Sequence, residues 1–233
     1  MPDKTFSILY SFRFEDGRTK EFTIELDAQT LNLVRRNEPS PREWTRLQYA
    51  KCENCQLSPD HEHCPVALNL VEVIEFFSDA HSFEPAQVSV ATEERGYTKK
   101  TTVQKGLSSM MGIMMPASGC PTLDKLRPMV RFHLPFSSPL ETFYRSISMY
   151  LTAQFFRMKA EKSADWSLDD HLHVYKDVAL VNRGIANRLT VASKADANLN
   201  AIVILHSIGD GIQYFIETEL EELRNLFKAY VEE

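Results

Sequence analysis

Apolar and polar positions alternate strictly at the start of the chain. Phe6, Ile8, Tyr10, Phe12 and Phe14 are apolar, and the same parity resumes at Phe22, Ile24 and Leu26 after the segment Glu-Asp-Gly-Arg-Thr. A period of two belongs to strands with one buried face, so two strands are predicted. The same parity specifies the turn. A two-residue Asp16-Gly17 loop would pair even positions with odd ones and send the apolar sets to opposite faces. A three-residue loop, Glu15-Asp16-Gly17 with Gly17 left-handed, keeps them together and puts Tyr10 opposite Phe22 and Ile8 opposite Ile24.

Further along, a polar link from Arg35 to Pro41 leads into Ser40, Pro41 and Glu43, which have the form of a capping box. The next residues, LQYAKC, fit a helix or a short strand equally well. The run VALNLVEVIEFF is apolar almost all round and predicts a buried helix from Pro65 to about Ser78. AQVSVATEERGYTKKTTVQ reads as a second hairpin turning near Arg95-Gly96, with more polar strands and one wet face. The three prolines of CPTLDKLRPMVRFHLPF predict one short helix followed by an extended crossing. Ser138, Pro139 and Glu141 supply a cap, a first-position proline and a third-position acid for a helix running to about Lys162. A second long helix, about Ser167 to Ser193, carries the stripe Leu168, Leu172, Tyr175, Val178, Ile185 and Leu189. The end, Asp196 to Tyr230, is helical with a break near Gly209-Asp210-Gly211. Antiparallel hairpins with short helices first and long antiparallel helices afterwards make an α+β class. The division falls between residues 1–136 and 137–233, packed as one compact unit.

Composition narrows the function classes. A chain of 233 residues with 43% hydrophobic content buries a core without help from a metal, so a metal would pin a junction only. A net charge of −6 with scattered Lys and Arg argues against nonspecific nucleic-acid binding. No basic leader with an apolar core opens the chain, and no uninterrupted apolar run approaches membrane-spanning length. The expectation is a soluble cytoplasmic protein with reduced thiols and no membrane partner.

Four cysteines carry the most suggestive chemistry. Cys52 and Cys55 form a C-x-x-C knuckle, and Cys64 and Cys120 each precede a proline and a plausible helix. A cysteine at a helix start faces unpaired N–H groups, and that field favours the thiolate form that binds metal. The expectation is one metal held by Cys52, Cys55, Cys64 and Cys120, with zinc first, an iron-sulfur cluster as the rival, and four separate core thiols as the plain alternative. His61 and His63 crowd the same loop as possible replacement ligands. Met110, Met111, Met114 and Met115 can line a soft-metal site or an adaptable groove, but at helical spacing they read as core filler.

Two other groups are candidates. Asp170, His173 and Asp177 share one helix face, which suits a metal, a carboxylate-oriented histidine base or an ordinary acidic helix start. Arg127, Arg131 and His133 can bind an anion, or can pin an extended segment through backbone carbonyls. The amides and arginines Asn182-Arg183, Asn187-Arg188, Asn198 and Asn200 read as internal caps and bridges. Phosphate-loop, dinucleotide-fold, serine-hydrolase and zinc-protease motifs are missing.

The stretches HCPVALNL, GLSSMMGIMMPASGCP, SGCPTLDKLRPMVRFHLPF and ETFYRSISMYL resemble an uncharacterised bacterial protein family of unknown function, over about half the chain. The resemblance implies a bacterial cytoplasmic protein with a recurrent cysteine set and contributes no catalytic residue. The functional expectation is a zinc-stabilised, noncatalytic module that presents a surface to another protein or a small ligand. The alternatives are an enzyme acting on a small anionic substrate near Arg127, Arg131 and His133, and an iron-sulfur redox sensor.

Overall fold

The computed structural model describes residues 5–35 and 40–232. Strands β1 (Thr5–Phe14), β2 (Thr19–Asp27), β3 (Pro85–Ala91) and β4 (Gly96–Thr102) form one antiparallel sheet in the order β2-β1-β3-β4. The parity argument for the first hairpin holds in detail. Tyr10 lies opposite Phe22 and Ile8 opposite Ile24. The Phe14 N–H donates to the Arg18 carbonyl at 2.9 Å, and Gly17 sits at φ 88°. The apolar even positions of both strands are therefore buried on one face.

Two helices cover that face. α1 (Pro65–Phe76) starts on Cys64 with proline in its first turn, and the Phe77 ring that follows it lies against Phe12, Phe14 and Phe22. α2 (Val103–Met114) continues directly from β4 and presses so closely on the sheet that a Cβ on Gly106 would stand 2.6 Å from Phe12 Cε1. Met110 and Met111 of α2 are fully buried, in line with the filler reading.

The segment after Cys120 departs from expectation. A 3-10 turn at Leu123–Leu126 runs straight into α3 (Arg127–Arg131), so the predicted extended crossing is largely helical. Pro128 lies in the first turn of α3, where its missing N–H forfeits no bond, so it opens the helix there. The expected cap at Ser40 and Glu43 is also replaced. Two 3-10 turns, Glu43–Thr45 and Leu47–Tyr49, follow instead, with the Arg42 N–H donating to the Thr45 hydroxyl at 3.2 Å. The middle of the polar link before them, 36–39, lies outside the described residues.

α4 (Pro139–Lys159) opens on the predicted box: the Glu141 N–H donates to Ser138 Oγ at 3.2 Å, and the Ser138 N–H donates to Glu141 Oε2 at 2.7 Å. α5 (Asp169–Ala192) and α6 (Ala197–Tyr214) pack side by side, and α6 also packs on α2. The glycine break does not occur. α6 passes through Gly209 and Gly211, and the helical path changes only at a π turn, Phe215–Glu219, before Leu220–Phe227 and α7 (Lys228–Val231). A Cβ on Gly211 would stand 2.8 Å from Phe143 Cζ, so this glycine permits close helix packing. The helical run Ala197–Val231 is 35 residues long, with a mean hydropathy of 1.2 over its most apolar window. By length and composition alone it passes as a possible span, but it is no uninterrupted apolar run, because polar residues such as Asn200, His206 and Asp210 break it.

Arg188 of α5 binds the two halves of the chain. It is 1% exposed and donates to the carbonyls of Trp44 and Arg46 at 2.6 Å each and of Leu47 and Ala50 at 3.0 Å each.

Candidate functional site

α2, α5, α6, the start of α4 and the 123–138 segment line a half-open cavity of about 680 Å³. That volume lies within the range of small-molecule sites. Much of the lining is apolar: Met111 of α2 and Met115, which caps it, share the wall with Val178 of α5 and Leu205 of α6, under a cover that includes Leu126 and Phe136. Gly112 helps to open the space, because the nearest atom to a Cβ built there is Leu205 Cδ2 at 3.7 Å.

Among the polar side chains in the wall, two are buried and unpartnered. Ser108 is 4% exposed and Asn182 is 3% exposed, and neither side chain has a hydrogen-bond partner among the described residues. Both side chains face the open space of the cavity, where water or a ligand can reach them. Lys99, Lys105 and Arg145 also line the cavity, and none forms an ion pair among the described residues. Glu141 lines it too, but its carboxylate is occupied at the cap of α4.

At one side of the cavity, Tyr10, Ser109 and His133 share hydrogen bonds. Tyr10 Oη lies 2.7 Å from His133 Nε2 and 2.8 Å from Ser109 Oγ, and Ser109 Oγ lies 3.4 Å from His133 Nε2. Burial, followed by the nearby Arg145 charge, lowers the His133 pKa to about 3. Burial also raises the Tyr10 pKa well above the usual phenol value. The group is therefore neutral around pH 7, able to exchange hydrogen bonds with a polar ligand atom.

His133, Leu134 and Arg145 also border a second cavity of about 280 Å³, lined by Phe6, Ile8 and Arg131. Arg145 Nη2 donates to the Met129 carbonyl at 3.2 Å and the Phe132 carbonyl at 2.5 Å, which holds this wall in place.

The predicted trio is thus divided. His133 borders both cavities. Arg131 lies over the Phe6 ring at 4.5 Å and 3.9 Å from Glu94, at the smaller one. Arg127 donates to the Thr30 carbonyl at 3.0 Å and pairs with Asp124, the pinning role, outside both linings. Arg145 was missed; its only signal in the sequence is a cation among apolar residues on a strongly capped helix.

Asp170 and His173 are exposed, and Asp177 accepts from Asn54 Nδ2 at 3.2 Å. The buried histidine of that helix is His171, stacked on Tyr150 at 4.5 Å with Nε2 3.1 Å from Ser146 Oγ. Burial lowers its pKa to about 4.

The metal-stabilised reading is corrected by the structure. Among the described residues no three His, Cys, Asp or Glu side chains come together as a metal site requires. Cys52, Cys55, Cys64 and Cys120 are neighbours: Cys64, Cys55 and Cys120 each add to the raised pKa of Cys52, after burial as the main cause, which takes it to about 11. Cys64 does occupy the helix start, and N–H groups of Leu123 and Thr122 do reach Cys120. Shared neighbourhood is a looser condition than a coordination shell, which demands sulfurs placed to within a few tenths of an ångström. The Cys52 sulfur instead packs on the α5 backbone, where a Cβ on Gly184 would stand 2.5 Å away. His63 Nδ1 lies 2.9 Å from Thr45 Oγ1, and His61 is exposed.

No curated protein and no solved structure matches the chain. Residues 8–228 match a domain of unknown function, DUF6901, across almost the entire length, in agreement with the resemblance drawn from the sequence to an uncharacterised family. The chain belongs to this family of unknown function, DUF6901.

Proposed function

We propose that the protein binds a small, predominantly apolar molecule in the cavity between α2 and the C-terminal helices. One observation carries this reading: the Asn182 carboxamide is 3% exposed, lacks a hydrogen-bond partner among the described residues, and lines the cavity. A bound molecule with a hydroxyl or carbonyl group near Asn182 and Ser108 would supply hydrogen-bond partners to both side chains. Methionine at two wall positions suits such a site, since its flexible thioether adapts to ligand shape.

The test uses N-phenylnaphthylamine, a neutral apolar dye that brightens out of water. The wild-type protein is expected to bind it saturably at one site per chain. Gly112→Leu extends a side chain into the cavity and is expected to abolish saturable binding while leaving the circular dichroism spectrum unchanged. Unaltered dye binding by a folded Gly112→Leu protein would place the dye elsewhere and refute the reading.

A further inference from the structure

Resting on that reading, we infer that the ligand ends in a carboxylate and that Arg145 is its seat: the bound molecule is an amphiphile with an aliphatic body and one anionic head. The wall chemistry is lopsided. Three cations, Lys99, Lys105 and Arg145, line the cavity against one carboxylate, Glu141, and that carboxylate is already engaged by Ser138. Lys99 and Lys105 are exposed, so water solvates them without assistance. Arg145 is different. It is partly buried between the two cavities, and no carboxylate lies within ion-pair distance among the described residues.

Its hydrogen bonds define what is still lacking. Only Nη2 is used, on the carbonyls of Met129 and Phe132, and Nε and Nη1 have no partner among the described residues. Carbonyl dipoles orient the guanidinium without neutralising it, and burial lowers its pKa by more than nearby Tyr175 and Glu141 raise it. An anion arriving through the cavity supplies that compensation through charge-assisted hydrogen bonds, the strongest kind available to a guanidinium. The apolar depth beyond it, around Met111, Val178 and Leu205, accepts a chain and offers nothing to a second charge. A compact polyanion would leave most of this surface unused, whereas an aliphatic carboxylate uses both parts.

The experiment compares decanoate with decanol as competitors of N-phenylnaphthylamine on the full chain at low ionic strength. Decanoate is expected to displace the dye at a concentration lower by about tenfold or more, the order of one charge-assisted hydrogen bond. Arg145→Met is expected to shrink that gap to less than about threefold while displacement by decanol stays unchanged, which also shows that the cavity is intact. Should Arg145→Met fail to fold, Arg145→Gln serves as the second variant, since it keeps a donor for the Met129 and Phe132 carbonyls but removes the charge, with a weakened response to decanoate alone. Equal displacement by acid and alcohol in the wild type, or an undiminished gap in a folded Arg145→Met or Arg145→Gln, overturns the inference while the binding reading stands. Dye that neither competitor displaces overturns both.

Discussion

α2 contains two glycines whose replacement by alanine separates the packed side of the helix from the open one. Both lie within Val103–Met114, so Gly→Ala gains about 0.8–1.0 kcal/mol of helix propensity at either position. The surroundings differ. At Gly106 the new methyl would stand 2.6 Å from Phe12 Cε1 and 2.9 Å from Val88 Cγ2, both fully buried in the sheet face. Neither can withdraw without moving the core, and overpacking of this kind costs about 1–3 kcal/mol. At Gly112 the nearest atom is Leu205 Cδ2 at 3.7 Å, an ordinary contact. Gly112→Ala is therefore expected to stabilise the protein by about 1 kcal/mol, and Gly106→Ala to range from neutral to about 2 kcal/mol destabilising. Because propensity cancels, the difference between the variants isolates the steric term. Urea denaturation followed by circular dichroism gives both values, provided the slopes agree with wild type. Equal stability of the two variants would refute the contact between α2 and the sheet. A marked loss in Gly112→Ala would refute the open space beside α6, and the cavity with it.

Three further outcomes follow from buried polar groups. Arg188→Leu leaves four carbonyls without their donor and is expected to cost at least about 3 kcal/mol in urea denaturation, with Trp44 to Ala50 becoming the first site of limited proteolysis. Asn182→Leu removes an unpartnered amide and is expected to raise the melting temperature of the free protein while changing dye binding, a trade of stability against the site. His171 is neutral in both folded and unfolded chains above its ordinary pKa of 6.5; as pH falls, the unfolded imidazole gains a proton that the folded one refuses until about pH 4. Stability is thus lost between about pH 6.5 and 4, by about 3 kcal/mol from this residue, and His133 acts in the same direction. His171→Gln is expected to flatten that slope, and an unchanged pH profile would contradict the buried neutral state.

The hairpin and the start of α4 were legible because they are set by local rules. Register in the first hairpin depends only on side-chain parity and loop length, and the α4 cap requires three neighbouring residues of the right kind. Gly209 and Gly211 misled because a glycine has two structural uses. Low helix propensity suggests a break, but here the missing side chains let Tyr175 and Phe143 approach α6, and packing prevailed over propensity. The cysteines show another limit. Spacing and a helix-start proline bring four thiols into one neighbourhood, but spacing does not determine whether their sulfurs converge.

The cavity was harder to read because its walls come from several separate elements and its defining feature is unfilled volume. Asn182 and Asn198 illustrate the difficulty. Both are amides on long C-terminal helices, and both suggest internal bridging when read along the chain. Asn198 fulfils it, donating to the Ile74 carbonyl and to Ser193 Oγ at 3.0 Å each. Asn182 is buried almost as deeply and meets open space. Likewise Arg188 and Arg145 are both cations on amphipathic helices, but one has carbonyls on both nitrogens of its fork and the other on one. In each pair the two residues have the same donors and differ only in whether the fold supplies their partners. A polar side chain that faces the cavity with donors still unpartnered, as those of Asn182 and Arg145 do, is where this fold leaves room for a ligand, and that difference arises only once α2, α4, α5 and α6 have met.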